Sequence, residues 1–400
     1  LSGVQNTDSA NYPESALDLL LSSVSETIGM GFRFSQALIR WSKQYGRQGL
    51  PWQGHKDPYA IWVSEIMLQQ TQVSTVMERY PLFMRQFPTV KALATADLDA
   101  VMALWSGLGY YSRARNLHQC AQQIMEKYSG KFPNTVQELE TLPGIGRSTA
   151  GAITAFAFEE RAPILDANVK RVISRFFGVT GNQQNHKTVQ LLWEHAIAIL
   201  PKSKSQMPLY TQALMDFGAT WCTPKTAKCQ SQDQSCPMMR ECKAYELGQV
   251  DRIPAKTKKK QSPTFTTHIF LFRYQDEILL ERRPPKAIWG SLYSLIETPW
   301  EPLGEKIIHP KSIDVKDLLY QTCLANHLSK NDMDSIASIE ESHAIEHIFS
   351  HRRLRMQPWI IYLKRKWSCR SAALDWIWIS QLKEYGLPQP IRVFLESSSR

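Results

Sequence analysis

Residues 142–172 read LPGIGRSTAGAITAFAFEERAPILDANVKRV, and this stretch decides the fold. Helical patterns over Leu139–Leu142 and Ser148–Phe158 flank the turn Pro143-Gly144-Ile145-Gly146, and an apolar run then delivers one carboxylate, Asp166. The turn is expected to be too tight for a Cβ at either glycine, with one or both at positive φ. Such a turn leaves backbone N–H groups unpaired at the start of the second helix, where the helix dipole also favours an anion such as a DNA phosphate. Pro-Gly alone would be an ordinary interhelical turn. What separates this one from the ordinary case is Asp166, followed by Asn168, Lys170 and Arg171.

Upstream, an amphipathic helix over Phe34–Trp41 opens the first domain, and Asp57-Pro58 reads as an N-cap with proline at the first helical position. The helix that follows carries a lone carboxylate, Glu65, among Trp62, Ile66 and Leu68. On a helix, charge usually faces water. In a low-dielectric pocket the same group would keep its proton near neutrality and serve as a general acid. Both readings stand at this point. Gln69-Gln70-Thr71-Gln72 follows at once; it is a polar interhelical turn, or a set of amides able to bond base edges and fill the space a base leaves. Further on, Gly107-Leu108-Gly109-Tyr110-Tyr111 offers a loop tip whose glycines allow close backbone approach and whose Leu108 and Tyr110 would act as apolar wedges against a base step. A core-packed aromatic turn is the competing interpretation.

Four of the seven cysteines, Cys222, Cys229, Cys236 and Cys242, fall close together with gaps of six, six and five residues. Cys120, Cys323 and Cys369 stand apart and read as buried thiols. Four clustered thiolates suit zinc or a [4Fe-4S] cluster, and spacing alone does not separate the two. Beyond Gly248 the composition turns polar and basic, with the run Lys256-Thr-Lys-Lys-Lys260. Strand periodicity follows over Thr266–Arg273, Glu277–Arg282, Ile345–Ser350 and Trp359–Lys364, with helices at Val315–Leu324 and Ser380–Tyr385, which is an α+β pattern.

The chain has 47 basic and 37 acidic residues, a net charge of +10, so a polyanionic partner is favoured. No apolar run approaches the length of a membrane span. Residues 1–32 contain no Lys or Arg but do contain Asp8, Glu14, Asp18 and Glu26, unlike a secretory or mitochondrial leader, so an intracellular protein is expected.

Taken together, these motifs resemble those of the MutY-type adenine DNA glycosylases of the helix-hairpin-helix superfamily. The match is close over Phe34–Gly248, where Ser64–Val73 (SEIMLQQTQV), Gly107–His118 (GLGYYSRARNLH) and Leu165–Val169 (LDANV, with Ala167 where the family has glycine) carry it. It is looser over Phe265 to about Leu387, where ILLERRPPKAIWGSLYSLIE (278–297) resembles the MutT-like domain of those proteins and His347-Ile-Phe-Ser-His351 their lesion-reading loop. The resemblance implies a multidomain chain: an N-terminal extension (1–32), an all-α helix-hairpin-helix catalytic domain (33–248), a basic linker (249–264) and an α+β MutT-like recognition domain (265–400). It implies a [4Fe-4S] cluster on Cys222, Cys229, Cys236 and Cys242, although the family has only two residues between its second and third cysteines and this chain inserts four more within Gln230–Ser235.

The implied function is removal of adenine mispaired with 8-oxoguanine or guanine in double-stranded DNA, by a monomer. Glu65 and Asp166 would be catalytic, with Asn168 and Ser148 beside them, and Trp52 and Leu68 would line the base pocket. Gln69, Gln70, Leu108, Gly109, Tyr110, Gly144, Gly146 and Lys170 would contact the duplex, and Phe349, Ser350 and His351 the lesion. Relatives that also cut the strand use a lysine where this chain has Ser148, so hydrolysis without strand cleavage is expected. A bifunctional oxidised-pyrimidine glycosylase/lyase like endonuclease III, or a catalytically silent DNA-binding protein, are the alternatives. A Nudix pyrophosphatase activity is disfavoured, because after Gly290 the chain offers only Glu297, Glu301 and Glu305, interrupted by Pro299 and Pro302, in place of the glutamate-rich metal helix.

Overall fold

The computed structural model describes residues 33–231, 236–255, 262–303, 314–325, 330–369 and 371–398. The N-terminal extension, the basic run 256–260, most of the Gln230–Ser235 insertion, Glu305 and the side chain of Cys323 lie outside the described residues. Two compact units are formed, each from two stretches of chain: Leu1–Glu65 with Phe132–Lys258, and Ile66–Lys131 with Lys259–Arg400.

The first unit is helical. It contains α1 (33–45), most of α2 (Pro58–Leu68), α7 (Val136–Glu140), α8 (Arg147–Phe158), α9 (Ala167–Phe177), α10 (His186–Ala198), α11 (Met207–Thr220) and the short α12 (Lys243–Glu246). Helix α2 begins as its sequence predicts: the Asp57 carboxylate accepts from the Tyr59 N–H at 3.0 Å, with Pro58 at the first position. Helix α9 starts on Asp166, whose carboxylate accepts from the Val169 N–H at 2.7 Å, and stops at Gly178, where φ is 72°. Phe34, Leu38 and Trp41 of α1 pack with Val172 and Phe176 of α9 and Leu214 and Phe217 of α11 in one core. That core fixes α9, and therefore Asp166 at its head.

The second unit joins α3 (Val73–Gln86), α4 (Val90–Ala94), α5 (Leu98–Leu104) and α6 (Ser112–Tyr128) to the C-terminal α+β half. The latter holds strands β1 (Thr264–Tyr274), β2 (Glu277–Arg282), β3 (Tyr293–Ser294), β4 (Ile296–Glu297), β5 (Glu301–Pro302), β6 (Ile336–Glu341), β7 (Ile345–Ile348), β8 (Arg353–Leu363) and β9 (Leu374–Trp378), and helices α13 (Val315–Ala325), α14 (Lys330–Met333) and α15 (Gln389–Ser398). The sheet runs β3-β2-β1-β8-β6, with β4 and β5 on β1, β7 on β8 and β9 on β2. Strands β1 and β8 are parallel, in register from Thr264–Arg353 to Arg273–Tyr362, while the other pairs are antiparallel. Phe270, Phe272, Leu279, Ile296, Ile361 and Trp367 form its core.

The α+β reading is borne out, and β2 occupies the expected residues. Ser380–Tyr385 is a 3-10 turn (Ile379–Glu384) instead of an α-helix. No described helix is long and apolar enough to cross a membrane.

Within the second unit the two halves interlock. The Leu387 carbonyl accepts from Ser106 Oγ at 3.3 Å and from the Tyr111 hydroxyl at 3.2 Å. Arg392 donates to Ser106 Oγ at 3.1 Å and to the Tyr385 carbonyl at 2.7 Å. Arg282 pairs with Asp99 at 2.8 Å, and Arg115 donates to the Gly290 carbonyl at 2.6 Å. Residues 385–392 and the turn after β2 therefore grip the helices on either side of the 107–111 loop.

Candidate active site

Glu65 and Asp166 both belong to the first unit, and their charges interact. Glu65 lies on α2 between the buried Ser64 and Ile66, only partly exposed itself. Desolvation, with the Asp166 carboxylate adding to it, pushes the Glu65 carboxyl up to about 8. The side chain is thus largely removed from water and does not lie on a fully solvated strip. Burial also raises Asp166, but there it is opposed by backbone N–H groups of Val169 and Asn168 and by the charges of Arg171 and Lys170. Both carboxyls are thus displaced upward by burial, and only at Asp166 do neighbouring donors and cations oppose the displacement.

The segment before Asp166 is held by two contacts. Ser148 Oγ accepts from the Leu165 N–H at 2.9 Å. Gly151 of α8 faces the Pro163 carbonyl, where a Cβ would collide with the backbone. Ala167, in place of the family's glycine, is already the first residue of α9, so the glycine's freedom is not needed there. Trp52 is buried and Leu68 half-buried.

Two arginines, Arg171, whose partners the sequence does not indicate, and Arg175, tie α9 to the cysteine loop. Arg171 donates to Asn168 Oδ1 at 2.9 Å, to the Gly218 carbonyl at 2.7 Å and to the Cys222 carbonyl at 2.8 Å. Gly218 is required here, because a Cβ would lie 2.9 Å from Asn168 Cβ. Arg175 donates to the Ile253 carbonyl at 2.9 Å, to the Thr223 carbonyl at 2.7 Å and to Cys222 Sγ at 3.4 Å. Their spacing of four on a helix whose other face carries Val172 and Phe176 is the one signal that could have placed them inward. Cys222, Cys229, Cys236 and Cys242 line one cavity with Phe34, Arg175 and Trp221. Burial pushes the Cys236 thiol up to about 12 and Cys242 to about 11, and each feels the others. Among the described residues no three His, Cys, Asp or Glu side chains converge on a point that a single ion would fill. Lys225, Lys228 and Arg240 around the loop are exposed, and Lys170 is half-buried. Of the remaining cysteines, Cys120 is buried and Cys369 is partly exposed.

The glycine turn requires one correction. Gly144 has φ 79°, as expected, but Gly146 has φ −93° and a Cβ there would meet nothing within 4 Å. Only Gly144 needs its glycine for the chain's own geometry. Gly146 is the exposed N-cap of α8, which has no side-chain cap, so the bare backbone at this point is open to an approach from outside.

The second unit carries the other predicted duplex contacts. Gln70 and Tyr110 are both exposed and both left-handed, at φ 56° and 47°. Gln69 and Gly109, directly before them, are half-buried. Leu108 is a correction: it is 4% exposed, packed beneath the loop, so of the two expected wedges only Tyr110, at 45%, is exposed. Arg113 is 8% exposed and donates to six acceptors around these turns, which no sequence feature announced.

In the C-terminal half, Phe349–Arg352 forms the tight turn between β7 and β8, closed by the Phe349 N–H to the Arg352 carbonyl at 2.8 Å. Phe349 is half-buried among Trp289, Trp300 and His347, and so supports the turn, while Ser350 and His351 are exposed at its tip. Ser350 Oγ and His351 Nδ1 are 3.2 Å apart. Glu297 is engaged by Arg283 at 2.7 Å and by the Trp300 indole N–H at 2.9 Å.

Comparison with known proteins matches two families: the HhH-GPD superfamily base excision DNA repair protein over residues 63–196 and the NUDIX domain over residues 267–397. The chain is similar to the adenine DNA glycosylase of Buchnera aphidicola subsp. Baizongia pistaciae, 36% identical over 360 residues that span 90% of this chain and 94% of that protein. It is similar also to that of Buchnera aphidicola subsp. Schizaphis graminum, 33% identical over 365 residues, 91% of this chain and 98% of that protein. Among solved structures, a thermostable thymine-DNA glycosylase is 28% identical with a TM-score of 0.49, covering 55% of this chain and 98% of that one.

Proposed function

This chain belongs to the adenine DNA glycosylase family of base excision repair enzymes, and from that premise we propose that it hydrolyses the glycosidic bond of adenine opposite 8-oxoguanine without cutting the strand. The observation that supports the chemistry is the Glu65 carboxyl, pushed up to about 8 by burial and by the Asp166 carboxylate, facing an Asp166 whose own upward shift is opposed by two backbone N–H groups and by Arg171 and Lys170. Glu65 gives its proton to N7 of an extruded adenine, which turns a poor leaving group into a neutral one. As the bond breaks toward an oxocarbenium ion, the Asp166 carboxylate stabilises the positive charge, and Glu65, now deprotonated, takes a proton from the attacking water. Asn168, fixed by Arg171, and Ser148, fixed on the Leu165 N–H, keep Asp166 in place. Ser148 has no amine for a Schiff base, so the product is an intact abasic strand.

The hairpin Gly144–Gly146 and Lys170 grip phosphate, Gln69, Gln70, Gly109 and Tyr110 enter the duplex, and Trp52 and Leu68 face the adenine. Four thiols spread around a cavity beside a guanidinium fit a [4Fe-4S] cluster, whose ligands stand at separate corners, better than a single zinc ion. When bound, the cluster supplies a rigid anchor for the loop that Arg171 and Arg175 join to α9. At the hairpin tip, Ser350 donates to His351 Nδ1 when that ring carries its proton on Nε2, which leaves the serine lone pairs free to accept from the N7–H that distinguishes 8-oxoguanine from guanine.

The test is incubation with duplexes holding adenine opposite 8-oxoguanine, guanine or thymine, and with duplexes holding an oxidised pyrimidine. Alkali-dependent strand breakage at the first two substrates, little borohydride-trapped adduct, and about four irons with matching sulfide per chain are expected. Cleavage without alkali, or stoichiometric zinc, would reject the corresponding assignment.

A further inference from the structure

Gln70 and Tyr110 lie forty residues apart, yet they share an uncommon backbone state. A left-handed φ brings Cβ against the carbonyl oxygen, so a long or bulky side chain adopts it only where the surroundings over-determine it. One side chain supplies that determination for both. Arg113 Nη1 donates to the Gln69 carbonyl at 2.7 Å, and Nη2 donates to the Gly109 carbonyl at 3.0 Å. These are the peptide units directly before Gln70 and Tyr110. Nη1 also donates to the Ile66 and Met67 carbonyls at 2.7 and 2.9 Å, filling acceptors left open at the end of α2. Nη2 reaches Thr71 Oγ1 at 3.0 Å and the Leu108 carbonyl at 2.9 Å, so the turn after Gln70 and the residue before Gly109 are held as well. The Tyr110 ring lies 5.7 Å from the guanidinium carbon and the Trp105 ring 5.3 Å. Trp105 Nε1 donates to the Gly109 carbonyl at 3.2 Å, a second hold on the same peptide.

We propose that Arg113 is a positioning residue that locks Gln70 and Tyr110 into one rigid, two-pronged wedge for extruding a base from the duplex. The inference rests on the reading of those two residues as the ones that enter DNA. A planar guanidinium can bridge two turns at once because its donors point in fixed, divergent directions; an ammonium of equal charge cannot hold both sets of carbonyls. The charge serves the protein's own carbonyls and is hidden from phosphate, so its part in DNA binding is indirect. A wedge ordered before it meets DNA loses no freedom on entering, and extrusion is the step that gains.

Arg113→Lys keeps the charge and removes the bridge. Extrusion is followed by the fluorescence of 2-aminopurine placed opposite 8-oxoguanine, in a Glu65→Gln background that cannot excise. Excision with Glu65 intact is measured on the adenine duplex across pH. The expected result is an extruded fraction lowered about tenfold, with the pH at which excision declines unchanged, because the acid is untouched. Unchanged extrusion would overturn the proposal, and so would a displaced pH profile with extrusion intact, since Arg113 would then act on the chemistry. Should Arg113→Lys melt far below the parent, Thr71→Val removes a single tether and is expected to lower extrusion about threefold in the same pattern; no change there overturns the proposal equally. Failure of the parent to excise adenine would instead overturn the proposed function, so the two failures are distinguishable.

Discussion

Glu65 illustrates how much one residue depends on what surrounds it. Its helix carries apolar side chains on every face, so sequence alone left it between water and a pocket; the answer came from α2 being buried and from Asp166, a neighbour a hundred residues away in the chain. The consequence is measurable through pH. In the unfolded chain Glu65 loses its proton near 4.5, whereas in the folded protein it keeps it to about 8. The folded state therefore binds more protons across that window, and the stability contributed by this group falls as pH rises from about 4.5 to 8 and then levels off. Glu65→Gln abolishes the dependence. Its melting temperature relative to the parent should climb between pH 5 and 8 and stay flat above, while base release drops about 10²–10⁴-fold. A constant offset in melting temperature would mean that Glu65 is ordinarily ionised. Arg113 and Arg171 were illegible for a different reason: most of their partners are backbone carbonyls, which every residue possesses and no sequence pattern marks.

At the scale of elements, the hairpin was readable because its punctuation is local, a glycine that must turn between two helical patterns; α9, capped by Asp166 and ended by Gly178, carries punctuation of the same kind but was not anticipated as a helix. Strand β6 (IASIEE) has little apolar alternation, β9 (LDWIW) is short, and α15 opens on Gln389-Pro390; each owes its form to partners across the sheet or to the second unit's helices, and none was anticipated. Two glycines in the same helix–turn region separate local need from external use. Gly151→Ala pushes a methyl into the Pro163 carbonyl, three residues before Asp166, and should cost about 2 kcal/mol of stability and at least tenfold in excision. Gly146→Ala meets nothing within 4 Å and has an ordinary φ, so unfolding should change by less than about 0.5 kcal/mol. Its methyl would stand between phosphate and the N–H groups at the head of α8, and duplex affinity should fall about tenfold. Chemical denaturation and binding titration on both variants check the contrast; equal effects on folding would return Gly146 to a purely structural role.

For the whole molecule, a reader of the sequence would divide the chain at the basic linker, because composition changes there. Contacts such as Arg392–Ser106 and Arg282–Asp99 cross that point in the chain, and they join side chains whose types carry no hint of each other. The C-terminal half should therefore influence two separable quantities. Ser350→Ala removes only an acceptor at the β7–β8 tip, so the preference for 8-oxoguanine over guanine opposite adenine should shrink about fivefold, with excision opposite guanine unchanged. Arg392→Ala loosens the grip on the helix start beside Tyr110 and should slow excision about tenfold opposite either base. Single-turnover rates on the two duplexes decide this; if Arg392→Ala altered the preference instead, the interlock would belong to lesion reading.

That interlock also sets a schedule. Tyr111 is made 276 residues before its acceptor, Leu387. At ribosomal speeds the loop bearing Tyr110 waits on the order of tens of seconds for the chain that will brace it. A message broken by a stop codon or frameshift between Cys242 and Phe349 yields a fragment that contains Glu65, Asp166 and all four loop cysteines but lacks Leu387, the brace of the loop bearing Tyr110. Abortive translation products would thus be feeble enzymes, and, with Ser350 as the proposed lesion reader, a product that has lost its discrimination would also be poor at removing adenine from sound DNA.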